Sequence, residues 1–279
     1  MSAIKLKVEG LDVRFVNGQK ETHAVRDVSF TLGREKLAIV GESGSGKSTV
    51  GRSLLKLHPN SAKISARAMQ FGEVDLLTAN EKAMQKIRGQ RISMIMQDPK
   101  YSLNPVVKVG DQIAEAYLAH HKASRREARE RVMEMLEKVH IRDPQRVYNL
   151  YPHEVSGGMG QRIMIAMMVI TQPQVIIADE PTSALDVSVR QQVLSVLEEL
   201  VEQQALGLIF VSHDLNLVRN YCDRVLVMYA GRVVESLAAC DLQYAEHPYT
   251  RGLLAALPSM DNRRERLPVL QRDPLWLTC

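Results

Sequence analysis

Leu37-Ala-Ile-Val-Gly-Glu-Ser-Gly-Ser-Gly-Lys-Ser-Thr49 decides the fold. The apolar run Leu37 to Val40 has the length and density of a strand buried on both faces, and Val50, Leu54 and Leu57 behind it keep a helical spacing. Between strand and helix, Gly41 to Ser48 fits G-x-x-x-x-G-K-[ST], a loop that wraps a polyphosphate. Gly41, Gly44 and Gly46 allow close backbone approach. Successive N–H groups, those of Glu42, Ser43, Ser45 and Thr49 among them, join the helix N-terminus in facing negative charge. Lys47 is placed for the terminal phosphates, and the Ser48 hydroxyl for a Mg²⁺ ion.

Similar solid runs recur at Ile92 to Met96, Val175 to Ala178, Leu208 to Val211 and Val225 to Tyr229. Helical spacing lies between them, clearest at Val189, Val193, Val196, Leu197, Leu200 and Val201, so the chain predicts an α/β core with a parallel sheet. Upstream, Ile4, Leu6 and Val8, then Leu11, Val13 and Phe15, then Val28, Phe30 and Leu32 alternate at period two, which predicts an antiparallel β layer over the first 33 residues. From Pro99 to Gln161 the strand runs stop. Ala128, Val132, Leu136 and Val139 mark one helix face there, opened by Ser124 with Glu127 as a capping box. Arg125, Arg126, Arg129 and Arg131 alternate with Glu127, Glu130 and Glu134, the pattern of a solvated, ion-paired face rather than a nucleic-acid patch. From Ala238 onward, Pro248, Pro258, Pro268 and Pro274 predict a loosely structured extension.

Composition agrees with a folded domain plus an inserted piece: 279 residues, 45% hydrophobic and 24% charged, with a net charge of +4 that suits anionic ligands. The longest apolar run, Ile163 to Ile170, is far below the ~18 residues of a membrane span. The alternating N-terminus predicts retention in the cytoplasm. Cys222, Cys240 and Cys279 form neither a disulfide framework nor a CxxC pair.

Val175 to Ala178 ends in Asp179-Glu180, two carboxylates where a strand of such a sheet emerges beside its ligand. Coupled to the phosphate loop, Asp179 becomes a Mg²⁺ partner and Glu180 a base for an attacking water; alone, the pair reads as two solvated carboxylates. His213 follows the next strand and by itself is an ordinary surface histidine.

Val155-Ser-Gly-Gly-Met-Gly-Gln-Arg162 separates phosphoryl-transfer machines from one another. With it, nearly the whole chain resembles the nucleotide-binding subunit of ATP-binding-cassette (ABC) transporters. Ser156, Gly157, Gly158 and Met159 resemble the signature loop, Gln97 the Q-loop, Ser183-Ala-Leu-Asp186 the D-loop ending in Asp186, and His213 the switch histidine. The resemblance implies a P-loop NTPase (RecA-like) core over 1–98 and 162–240 with the β layer, a helical signature subdomain over 99–161, and an importer-type extension over 241–279. It implies ATP and Mg²⁺, with Ser48, Gln97 and Asp179 at the metal, Glu180 as base, His213 as γ-phosphate sensor, and Gln97 as a catalytic residue linking Mg²⁺ or water to the helical subdomain. The signature loop would bind the ATP of a second ATP-binding subunit in a homo- or heterodimer. Phe15 either stacks on adenine or is a core aromatic.

Tyr151-Pro-His-Glu154, Ser102-Leu-Asn-Pro105 and His247-Pro-Tyr-Thr250 resemble the branch that imports dipeptides, oligopeptides, nickel or related solutes. That branch implies two transmembrane permease subunits, an extracytoplasmic solute-binding protein, no nucleic acid, and a peripheral place on the cytoplasmic face of the inner membrane. A soluble cassette ATPase in a cytoplasmic assembly, such as one for phosphonate breakdown, is the alternative; a purely regulatory nucleotide-binding module is a third. Gly160 departs from the family, whose members generally carry a basic residue there; the lost charge and a helical glycine predict weaker ATP binding. Only Cys240 and Cys279 lie beyond the core, too few for the C-terminal iron–sulfur cluster of some relatives.

Overall fold

The computed structural model describes residues 5–18, 20–183 and 185–257, with Asp273 and Trp276. Ile4, Ala184, Pro258, Pro268, Pro274 and Cys279 lie outside the described residues. By internal packing the chain divides into Met1–Thr78 with Ile209–Cys279, and Ala79–Leu208.

The first unit begins with β1 (Leu6–Asn17) and β2 (Lys20–Leu32), paired antiparallel from Leu6 opposite Leu32 to Asn17 opposite Lys20. The apolar phase on β1 slips between Val8 and Leu11, and there the register shifts, with Gly10 at φ 61°. A bulge thus lets one bent strand keep Leu6, Val8, Leu11 and Val13 all buried. Next come β3 (Lys36–Val40), with Leu37 to Val40 inaccessible, and α1 (Lys47–Leu54). α1 stops short of the expected Leu57, which is exposed, because Lys56 turns the chain at φ 51°. The β layer extends beyond the first 33 residues: β4 (Ala62–Ser65) and β5 (Ala68–Phe71) pair antiparallel with β1, and β6 (Val74–Asp75) with β5.

The second unit runs from α2 (Glu81–Gln85) and β7 (Ile92–Ile95) through α3 (Pro99–Ser102), α4 (Val109–Leu118), α5 (Arg125–Lys138), α6 (Pro144–Tyr148) and α7 (Gly157–Val169) to β8 (Val175–Asp179) and α8 (Val187–Gln204). β7 and β8 are buried and parallel, with Ile92 beside Val175 and Ile95 beside Ala178. Among the described residues between them there is no strand. Ser124 Oγ accepts the Glu127 N–H at 3.2 Å and starts α5, which buries Ala128, Val132 and Leu136. Its outer face carries Arg126–Glu130 and Arg131–Glu134 ion pairs at 3.1 and 3.0 Å, while Arg129 lies over the Tyr148 ring. The apolar run Ile163 to Ile170 belongs to α7, a buried core helix. The unit boundaries fall outside 99–161 because α7 packs on β7, which pairs with β8.

β9 (Gly207–Ser212) leads back to the first unit, followed by α9 (Leu215–Tyr221), β10 (Arg224–Tyr229), β11 (Arg232–Ala238) and α10 (Pro248–Ala255). In that unit the sheet order is β11-β10-β3-β9, with β10 parallel to β3 and β11 antiparallel to β10. The start of the C-terminal extension is ordered, contrary to the expectation from its prolines. Pro248 occupies the first turn of α10, where its missing N–H costs nothing, and the His247 ring caps the helix by accepting the Tyr249 N–H at 3.1 Å.

Candidate functional site

The loop from β3 to α1 is shaped by its glycines. Gly41, Gly44 and Gly46 have φ of 149°, 81° and 98°. A Cβ would meet Met228 O at 2.2 Å from Gly41 and Ala24 O at 2.4 Å from Gly46, so no other residue fits at either place. Ser45 accepts the Gly231 N–H at its carbonyl, 3.0 Å, and its N–H turns back to Glu42 O at 3.2 Å. Lys47 is buried, its Nζ donating to Gly41 O at 2.9 Å and Glu42 O at 2.8 Å. Ser45 Oγ is buried without a protein partner. A lysine, a helix N-terminus bearing Ser48 and Thr49, and an orphaned buried hydroxyl fit a polyphosphate ligand. Glu42 and Ser43 complete the loop.

Two other expected residues belong to the same unit. His213 is exposed between β9 and α9, beside Asp214, which caps α9 by accepting the Leu217 N–H. Phe15, on β1 opposite Thr22 and Ala62, is half-buried and edge-on to His58 at 5.5 Å. Burial pushes the His58 pKa down, which keeps that ring neutral at pH 7.

In the second unit, Asp179 ends β8 buried, and Glu180 directly after it has φ 47°. The Ser183 N–H and hydroxyl both donate to Glu180 O, at 3.3 and 3.2 Å, and Gln97 Nε2 donates to Ser183 Oγ at 3.1 Å. Gln97 is thereby tied to the turn that presents Glu180. The sequence placed Ser183 at the start of the D-loop string but did not signal its bonds to Glu180 and Gln97; the one hint was a hydroxyl three residues past Glu180.

Ser156 caps α7, its Oγ accepting the Met159 N–H at 3.3 Å, so Gly157 and Gly158 form the first turn of an exposed helix start. Gly158 is required by packing, since a Cβ would lie 2.4 Å from Val189 Cγ1. Gln97, Ser156, Gly157, Gly160 and Leu185 line one cavity of about 230 Å³. Asp186, next to Leu185, caps α8: its carboxylate accepts the Val189 N–H at 3.0 Å and the Ser188 hydroxyl at 2.9 Å, bonds that hold it below the usual carboxylate range.

Among the described residues no cluster of three His, Cys, Asp or Glu side chains could hold a metal unaided. Each unit does carry oxygen donors of the kind Mg²⁺ prefers: the Ser48 hydroxyl in the first, and the Gln97 amide oxygen and the Asp179 carboxylate in the second. Cys222 is buried, its thiol pushed up to about 12 chiefly by burial, and Cys240 is exposed.

A family model described as ABC transporter matches residues 25–183. The chain is 45% identical over 277 residues to the oligopeptide transport ATP-binding protein of Bacillus subtilis, covering 98% of this chain and 77% of that one. It is 46% identical over 268 residues to the dipeptide transport ATP-binding protein of the same organism, covering 95% and 80%. Among solved structures, a dimeric ATP-binding cassette in a post-hydrolysis state with ADP and Pi matches with a TM-score of 0.75 at 25% identity, covering 84% of this chain and 98% of that one. The cbiO1 subunit of a Clostridium perfringens transporter complex matches with 0.74 at 27% identity, covering 86% and 91%.

Proposed function

Because the chain belongs to the ATP-binding-cassette transporter family, we propose that it is the ATP-hydrolysing subunit of an importer for dipeptides, oligopeptides or a related small solute. The observation that carries this reading is the phosphate loop, whose glycine geometry and buried Lys47 suit the triphosphate of ATP. That the relatives are oligopeptide and dipeptide transport ATP-binding proteins favours peptide import over the soluble cytoplasmic assembly.

In this reading the loop from Gly41 to Thr49 wraps the phosphates and Phe15 stacks on the adenine. Ser48, Gln97 and Asp179 hold Mg²⁺, which when bound neutralises charge on the phosphate oxygens. Glu180 accepts a proton from the attacking water, and His213 donates a hydrogen bond to the γ-phosphate. Ser156, Gly157, Gly158 and Met159, with Asp186, face the ATP held by a second ATP-binding subunit. The helical stretch 99–161 receives a permease coupling helix in a groove near Gln97 to Pro105, in a complex with two permease subunits fed by an extracytoplasmic solute-binding protein. The proposed place, from the ATP-binding role of the relatives, is peripheral, on the cytoplasmic face of the inner membrane; no helix among the described residues is long and apolar enough to cross a membrane.

Glu180→Gln tests the reaction. With the polar shape kept and the base removed, steady-state hydrolysis by the assembled transporter should fall at least about 100-fold while ATP binding persists. Undiminished turnover by that variant rejects Glu180 as base.

A further inference from the structure

The phosphate loop is held from outside by the start of the C-terminal extension. Tyr249, in the first turn of α10, is fully buried, and its hydroxyl accepts the Glu42 backbone N–H at 3.0 Å across 207 residues of sequence. The ring is caged by Tyr229 at 4.6 Å and Trp276 at 6.0 Å between centroids. Its backbone is fixed by the His247 ring, and the approach to α10 is fixed by Glu235, which accepts the N–H groups of Glu246 and His247 at 2.7 and 3.3 Å.

The Glu42 N–H belongs to the same planar peptide as the Gly41 carbonyl, which accepts Lys47 Nζ at 2.9 Å. Tyr249 and Lys47 therefore hold that peptide from its two opposite edges. The restraint is placed beside a glycine, which at φ 149° has no Cβ to limit the rotation of this plane, so its orientation rests on the bonds it makes. Tyr229, one wall of the cage, ends β10 two residues before Gly231, whose N–H holds Ser45 O. One aromatic cluster thus anchors the loop at Glu42 directly and adjoins its second tether at Ser45.

We propose that Tyr249 is a positioning residue for the nucleotide: its hydroxyl fixes the Gly41–Glu42 peptide and, through it, the seat of Lys47, so that the loop meets a triphosphate already shaped. This inference rests on the ATP-binding reading of the loop. Pre-shaping removes an ordering cost from binding and leaves the chemical step to other groups. Loss of the hydroxyl should therefore weaken ATP binding without slowing turnover at saturation.

The test is Tyr249→Phe in the full chain, with Tyr229→Phe as a control that keeps the same cage. Direct titration with ATP should show Kd raised roughly 5- to 10-fold for Tyr249→Phe, the range expected for one lost hydrogen bond, and unchanged for Tyr229→Phe. In the assembled transporter KM should rise in parallel while kcat stays within roughly 2-fold. Equal Kd for Tyr249→Phe and wild type overturns the inference, as does a loss of kcat with KM unchanged or an equal loss in Tyr229→Phe. Failure of the wild-type chain to bind ATP overturns instead the functional reading beneath it.

Discussion

Glu180 stands in the left-handed region at φ 47°, where a side chain with a Cβ costs about 1 kcal/mol or more. The turn is held there by two bonds from Ser183 to the Glu180 carbonyl and by Gln97 behind Ser183. A glycine would relieve the strain, so its absence is consistent with a carboxylate that is needed at this place. Glu180→Gly should therefore raise the melting temperature relative to Glu180→Gln, by the equivalent of up to about 1 kcal/mol, while both variants lose hydrolysis. Thermal unfolding of the two side by side decides it: a glycine variant no more stable than the glutamine variant means that the turn stores no strain. The phosphate loop was legible because its chemistry is local, with every residue inside nine positions. The bond from Glu42 to Tyr249 was not, since no nearby residue signals a partner 207 positions away.

Among the elements, α7 shows how space and propensity part company. Gly158 and Gly160 are both in its first turns, yet a Cβ on Gly158 would strike Val189 at 2.4 Å, whereas one on Gly160 would rest 3.6 to 3.9 Å from Pro99 and Val155. Gly160→Ala should stabilise the chain by about 1 kcal/mol, the helical cost of glycine. Gly158→Ala should destabilise it by about 1–3 kcal/mol, a penalty that disappears in a Val189→Ala background. Chemical denaturation of the four variants measures all of this; destabilisation by Gly160→Ala would show that the cavity beside it is closed to a methyl group. Solid apolar runs such as Val175 to Ala178 announced their strands, because burial on both faces leaves only one composition. Ala62–Ser65 and Ala68–Phe71 were invisible, since four residues with half-exposed faces carry too little alternation to read. α10 was misjudged because a proline count ignores position: Pro248 starts a helix that the same residue would break farther along.

For the whole molecule, the proposed pairing of two ATP-binding subunits gives Ser156 a purpose that a single chain does not reveal. Within the chain Ser156 is a helix cap, bonded to the Met159 N–H, and a cap lost to alanine costs about 1 kcal/mol. An alanine variant would therefore mix a folding defect with any loss of function. Ser156→Asp separates them, because aspartate caps as well as serine and its charge is favoured at a helix N-terminus. In the assembled transporter that same charge would face the γ-phosphate of the nucleotide bound by the other subunit, repelling it where the N–H groups of Gly157 and Gly158 should attract. The melting temperature of the isolated chain should then match wild type and its ATP Kd stay within roughly 2-fold, while hydrolysis by the complex falls at least about 10-fold, the cost of one misplaced charge near 1.4 kcal/mol or above. Equal weakening of ATP binding in the isolated chain would place Ser156 at its own nucleotide, and the two-chain site would fall.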